Sequence, residues 1–221
     1  MKGVFVTFEG PDGSGKTTQI RLLADALNKQ GFQVLQTREP GGTPISDQIR
    51  SLILSPEHQE MKDQTEVLLY AASRAQHVHE VILPALKQGK IVLCDRFIDA
   101  SLAYQAYGLG IEFESVIEVN RFASSGLLPN RTYLLDVPVE ISRSRLTRRE
   151  EGLDRIEQKG RDYHQRVREG FHQIYKENPE RICLIEAEGN VEDIALRIQT
   201  DFFSWLKGKI GKMLLDGSHF S

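Results

Sequence analysis

Gly10-Pro11-Asp12-Gly13-Ser14-Gly15-Lys16-Thr17 matches every fixed position of the phosphate loop G-x-x-x-x-G-K-[ST]. The run before it, Val4-Phe5-Val6-Thr7-Phe8, is apolar and predicts a buried strand. The run after it, Thr18 to Gln30, is amphipathic at helical spacing and predicts a helix. Strand, loop and helix in that order are the context the motif needs. Glycines let the backbone turn its N–H groups inward around phosphates, and the new helix adds the positive end of its dipole. Lys16 is then placed to bridge the β and γ phosphates, and the Thr17 hydroxyl suits a Mg²⁺ that prefers oxygen ligands. The residues expected against a triphosphate are those of the loop together with Thr18.

Outward from the loop, strand-like runs recur at Gln33 to Thr37, Ile91 to Cys94, Thr132 to Val137 and Ile182 to Ile185. Helical stretches separate them at Ile45 to Leu54, Thr65 to Lys87, Phe113 to Ser124, Val139 to Arg149 and Asp162 to Lys176, with a last one at Val191 to Leu206. This alternation predicts an α/β fold of the three-layer phosphate-loop NTPase kind, a five-stranded parallel sheet with helices on both faces. Ligands of such sheets bind beyond the carboxyl ends of the strands. The 221 residues fit one domain, 1–207, and the glycine-bearing segment Gly208 to Ser221 is expected to fray.

No stretch approaches the roughly 18 apolar residues of a membrane span. Met1-Lys2-Gly3 leads straight into the first strand, so a cytoplasmic protein without a membrane partner is expected. The net charge of −3 argues against general nucleic-acid binding. Locally, Arg143 to Arg168 holds nine Lys/Arg against five Asp/Glu, which fits either a surface facing a polyanion or a solvated helix laced with ion pairs. Cys94 and Cys183 form no C-x-x-C and are expected as reduced core thiols. His77 and His79, two apart on a helix, point to nearly opposite sides and hold no metal.

Two further motifs follow predicted strands. Asp95-Arg96-Phe97 puts a carboxylate where it can orient a Mg²⁺ shell and an arginine where it can clamp a phosphate. Arg38-Glu39-Pro40-Gly41-Gly42 repeats that scheme at the same sheet edge and suggests a second anionic substrate. Tyr70 and Arg74, four apart on a helix, share a face that suits a flat base, or else divide between core and surface.

Taken together the chain resembles the bacterial type of thymidylate kinase from Val4 to about Leu206. The resemblance rests on the phosphate loop, T-R-E-P-G-G at Thr37 to Gly42, L-L-Y-A-A-S-R at Leu68 to Arg74 and D-R-F at Asp95 to Phe97. It continues with S-L-A-Y-Q at Ser101 to Gln105 and L-D-R-I-E at Leu153 to Glu157. It implies transfer of the ATP γ-phosphoryl group to dTMP, giving dTDP for dTTP biosynthesis, with Mg²⁺ held by Thr17 and Asp95. Asp12 would receive the 3′-hydroxyl, Tyr70 would stack on thymine, and Arg74, Ser101 and Gln105 would line its edge. Tyr104 would lie beneath the sugar, and Arg38 and Arg96 would hold the acceptor phosphate beside Glu39. Because Gly13 stands where some members carry an arginine, catalytic arginines are expected from a mobile lid over about 147–160. Arg148 and Arg149 are the first candidates there, and Arg155 is either a third or a structural partner of Asp154 or Glu157. The family also implies a homodimer packed through helices, with Phe122, Leu127 and Leu128 as apolar candidates, and an adenine contact near Glu188 to Val191. A deoxynucleoside or shikimate kinase is a weaker fit, because its acceptor has no phosphate for Arg38 and Arg96. A GTPase-like switch lacks N-K-x-D, since Asn28-Lys29-Gln30-Gly31 has no Asp.

Overall fold

The computed structural model describes residues 3–148 and 152–215. Strands β1 (Val4–Glu9), β2 (Val34–Arg38), β3 (Ile91–Asp95), β4 (Arg131–Asp136) and β5 (Ile182–Glu186) form one parallel sheet in the order β2-β3-β1-β4-β5. The expected five-stranded α/β architecture is therefore present. β1 is central, registered through Val6 with Leu93 of β3 and with Arg131 of β4. Its alternate residues serve opposite layers. Val4, Val6 and Phe8 join a core with α1 (Lys16–Lys29) and α9 (Val191–Leu215), while Phe5 packs in a cluster with Val78, Ile82 and Phe97 on the other side. Burial on both faces is why the strands read as nearly continuous apolar runs.

The expected helix over Thr65 to Lys87 is one rod of three parts: α3 (Asp63–His77), a wider π-helical stretch Val78–Ile82, and α4 (Leu83–Lys87). Pro84 has no N–H to give back to Glu80 and its ring crowds that carbonyl, so the turn before it opens. A second helical segment departs from the sequence expectation. α5 (Ile98–Ser101) runs into a π-helical stretch, Leu102–Gly108, where no helix was predicted. Its residues Leu102, Ala103, Tyr104, Gln105 and Ala106 are all buried, so no polar face exists to give a helical period.

That segment is covered by α8 (Arg161–Glu177) at unusually close range. A Cβ on Gly170 would lie 2.7 Å from the Tyr107 side chain, and one on Gly108 would lie 2.7 Å from the Tyr163 ring. The remaining helices are α2 (Pro44–Leu54), α6 (Phe113–Ala123) and α7 (Val139–Leu146). α7 stops at Leu146, short of the expected Arg149, which lies outside the described residues. α9 passes through Gly208 to Leu215, so the segment expected to fray starts as helix. Cys94 is buried, Cys183 half-buried, and both are free thiols. Among the described residues no helix is long and apolar enough to cross a membrane.

The two helical glycines Gly170 and Gly208 should respond oppositely to alanine. Gly208 has no neighbour within 4 Å of an added Cβ, so Gly208→Ala gains helix propensity, up to about 1 kcal/mol. Gly170→Ala must push Tyr107 aside and should lose about 1–3 kcal/mol in chemical denaturation despite the same propensity gain.

Candidate active site

The phosphate loop joins β1 to α1 with Gly10, Gly13 and Gly15 at φ of +125°, +74° and +93°, which L side chains rarely adopt. At Gly10 space is also lacking, because a Cβ would run into the Leu135 carbonyl of β4. α7 braces the loop from outside. Ser142 Oγ donates to the Asp12 carbonyl at 2.6 Å, and Arg145 Nη1 donates to the Gly13 carbonyl at 3.0 Å. Lys16 Nζ is folded over its own loop, donating to the carbonyls of Gly10 at 3.2 Å and Pro11 at 2.8 Å. Burial, with Arg96 nearby, lowers its pKa to about 8.

Thr17 Oγ1 donates to Asp95 Oδ2 at 2.8 Å. One hydroxyl and one carboxylate are a fitting oxygen pair for Mg²⁺, which keeps several waters and phosphate oxygens rather than entering a protein cage. In keeping with that, no group of three or more His, Cys, Asp or Glu able to hold a metal exists among the described residues.

Beside the loop stands Arg96, held at φ +70°. Its Nη1 donates to the Gly10 carbonyl at 2.9 Å and its Nη2 to Asp12 Oδ1 at 2.7 Å and Tyr104 Oη at 3.1 Å. The guanidinium also lies 4.9 Å from the centre of the Tyr104 ring, and Tyr104 Oη donates to Asp12 Oδ2 at 3.0 Å. Burial works to raise the Asp12 carboxyl, but Arg96 and then Lys16 outweigh it and hold the group well below the usual carboxylate range.

Arg74 and Glu39 meet at the other end of the cleft, each 2% exposed. Arg74 Nε donates to Glu39 Oε2 at 2.7 Å, Nη1 to Ser101 Oγ at 3.0 Å and to Asn120 Oδ1, and Nη2 to the Phe97 carbonyl at 3.0 Å. These contacts use four of the five N–H donors of a guanidinium and leave one on Nη2. The cleft is lined by Asp12, Glu39, Tyr70, Arg74, Arg96, Ser101, Tyr104 and Gln105, so these expected residues converge on one cavity, whereas Arg38 is not part of its lining.

Residues 8–198 match the sequence model of the thymidylate kinase family. The chain belongs to the thymidylate kinase family. A thymidylate kinase from Exiguobacterium sibiricum is 54% identical over 207 residues, spanning 94% of this chain and 97% of that relative. Another, from Geotalea daltonii, is 45% identical over 93% of this chain and 99% of its own length. A crystal structure of thymidylate kinase from Ehrlichia chaffeensis superposes with a TM-score of 0.76 at 33% identity, covering 91% of this chain and 100% of that one. As a member of the thymidylate kinase family the chain is a kinase.

Several thymidylate kinase residues stand otherwise than the sequence suggests. Arg74 is neither at the surface nor free, because it ties α3 to α5 and α6. Each Glu39 oxygen has a partner, Arg74 Nε on Oε2 and His77 Nδ1 on Oε1 at 2.9 Å, so the carboxylate braces Arg74. Arg155 is buried and paired with Glu66 Oε2 at 2.7 Å, not with Asp154 or Glu157. It pins the end of the expected lid to the body. Arg148 is exposed, and Arg149 is not among the described residues. Arg38 is exposed and paired with Asp47 at 3.1 Å.

Arg50 is a cleft residue that sequence reasoning missed. It lines the cavity on α2 and donates to the Pro40 carbonyl at 2.9 Å. Burial and then Arg38 lower its pKa, as expected where arginines gather around an anion site. Its signal was present in the helical spacing of Asp47, Arg50 and Leu54. A second missed residue is Glu9, buried at the end of β1, whose Oε1 accepts from the Phe97 N–H at 2.7 Å while Oε2 has no partner among the described residues.

Burial, with Asp99 adding repulsion, raises the Glu9 carboxyl from its ordinary value of 4.5 to about 8. A pKa raised on folding stabilises below the unfolded value and loses that contribution as pH rises through the folded one. Stability should therefore fall between pH 4.5 and about 8 in the native protein. Glu9→Gln, neutral throughout, should flatten that decline by an amount on the order of 2–4 kcal/mol in denaturant titrations run across this pH range.

Proposed function

We propose that this enzyme transfers the γ-phosphoryl group of Mg-ATP directly and in line to dTMP, making dTDP for dTTP synthesis in the cytoplasm. The observation that carries the reading is the cleft itself. A base plate, a sugar carboxylate and a set of arginines line one cavity beside a complete phosphate loop. The loop amides and Lys16 bind the triphosphate, and Lys16 leaves the Gly10 and Pro11 carbonyls to do so. Mg²⁺, when bound through Thr17 and Asp95, neutralises charge on the β and γ phosphates.

The acceptor lies with its base against Tyr70 and its edge toward Arg74 and Gln105. Asp12 keeps lone pairs beyond those used by Arg96 and Tyr104, enough to accept a 3′-hydroxyl. Tyr104 fills the space a 2′-hydroxyl would need. Arg96, Arg50 and Arg38 draw in the acceptor phosphate, which is largely dianionic at neutral pH because its second pKa is about 6. An ionised oxygen needs no general base, so catalysis rests on alignment and charge compensation. Arg148 and Arg149 are assigned to the charge that develops on the γ-phosphate. Arg145, spanning the Gly13 and Ala187 carbonyls at 3.0 and 3.4 Å, marks the side on which the adenine enters.

The same reading includes a homodimer. α3 and α6 leave a shallow apolar groove lined by Leu68, Ala72, Val119 and Phe122, and Phe122 is 87% exposed. A second copy of the same face covers such a patch without new chemistry.

Coupled ADP release with Mg-ATP should be strong on dTMP, weaker on dUMP and near background on UMP, dCMP, thymidine and shikimate. Absence of dTMP-dependent turnover would overturn the assignment. Lys16→Ala should abolish turnover while leaving dTMP binding within a few-fold. For the dimer, Phe122→Glu should halve the mass in light scattering, and an unchanged mass would place the interface elsewhere.

A further inference from the structure

We propose that Glu66 sets the base specificity of the cleft by holding the Gln105 amide in one of its two orientations. This inference rests on the thymidylate kinase reading of the cleft. Glu66, on α3, is 1% exposed and has both oxygens engaged. Oε1 accepts from Gln105 Nε2 at 3.0 Å, and Oε2 accepts from Arg155 Nη2 at 2.7 Å. A carboxylate facing a guanidinium offers acceptors only, so the amide beside it must present its NH₂ group. Rotating that amide by half a turn would set two oxygens face to face in a buried place where nothing else could satisfy them.

The consequence falls on the atom left over. With one N–H of Nε2 held by Glu66, the amide is fixed in orientation, and its carbonyl oxygen, on the opposite branch, is the acceptor left for the cavity that Gln105 lines. The same cavity is lined by Arg74, whose one N–H without a partner among the described residues is a donor. An acceptor and a donor in one cavity match the N3–H and O4 of thymine or uracil. Cytosine carries the reverse pattern, a bare N3 and an amino group, and meets oxygen with lone pair and N–H with N–H.

Glu66 can play this part only if it cannot turn away, and Arg155 sees to that. Its Nε donates to the Ile53 carbonyl at 2.7 Å and its backbone N–H to the Leu54 carbonyl at 3.0 Å, so the guanidinium is fixed from the end of α2. Neither Glu66 nor Arg155 belongs to the set of residues that line the base edge by themselves. Glu66 is a positioning residue, acting through Gln105.

The test compares kcat/KM for dTMP and dCMP in the wild type, Glu66→Gln and Glu66→Asp. Glutamine offers either a donor or an acceptor and frees the Gln105 amide. Aspartate keeps the charge for Arg155 and withdraws the oxygen from Gln105, so it serves if the glutamine variant does not fold. In both, the dTMP to dCMP ratio should fall about tenfold or more, chiefly through a higher KM for dTMP, with KM for ATP unchanged. Equal losses on both substrates, leaving the ratio intact, would overturn the proposal and leave Glu66 a stabilising residue only. Nitrogen NMR of the wild type gives an answer that needs no variant. One Gln105 Nε2 proton, held by Glu66, should exchange slowly with solvent both with and without dTMP, and rapid exchange of both protons would also overturn the proposal. A wild type inert toward dTMP would refute the reading of the cleft instead, a distinguishable result.

Discussion

The cleft depends first on the buried pair of Arg74 and Glu39. It joins the loop after β2 to α3, and through Ser101, Asn120 and the Phe97 carbonyl it reaches α5, α6 and the turn after β3. Removing either partner would leave a buried charge without compensation, which costs about 3–5 kcal/mol. His77, donating from Nδ1 to Glu39 and bound through Nε2 to the Thr37 hydroxyl, closes the second side of the carboxylate. Such a pair adds little net stability compared with an apolar substitute of the same shape. What it supplies is position: a guanidinium fixed on four sides with one N–H directed by elimination.

Other buried carboxylates follow the same logic. Glu9 holds the Phe97 amide, Glu66 the Gln105 amide, and Asp99 the Arg181 guanidinium at 2.7 and 2.8 Å. Asp12 and Asp95, on the phosphate side, are by contrast half-buried.

All five strands were legible within a residue or so, most clearly β1 and β3, where burial on both faces leaves an apolar run; the edge strand β2 is only half-buried and more polar. The phosphate loop was legible for a similar reason, since its glycines answer to local backbone angles. The helix through Tyr104 was not, because a segment buried on every side has no polar stripe to count. Partners across the fold were harder still. Arg155 looked destined for Asp154 or Glu157, yet Asp154 Oδ1 caps the backbone amides of Ile156 and Glu157, and Glu157 Oε2 returns to the Asp154 amide. Both acids cap their own turn, and the arginine's long arm reaches Glu66. Arg50 escaped notice because its helical spacing with Asp47 and Leu54 marks a face of α2 without telling that this face passes Pro40 and the cleft.

Phe97 joins the two ends of that cleft. Its amide is bound to Glu9 beneath the phosphate loop, its carbonyl to Arg74 at the base end, and its ring lies 4.9 Å from Phe5 in the core and 5.2 Å from the Arg74 guanidinium. One residue thereby ties the Arg74 end of the cleft to the phosphate-loop end through the core. The distance between the two ends is therefore set by packed side chains rather than by the loops around the rim, so the cleft is rigid along its length.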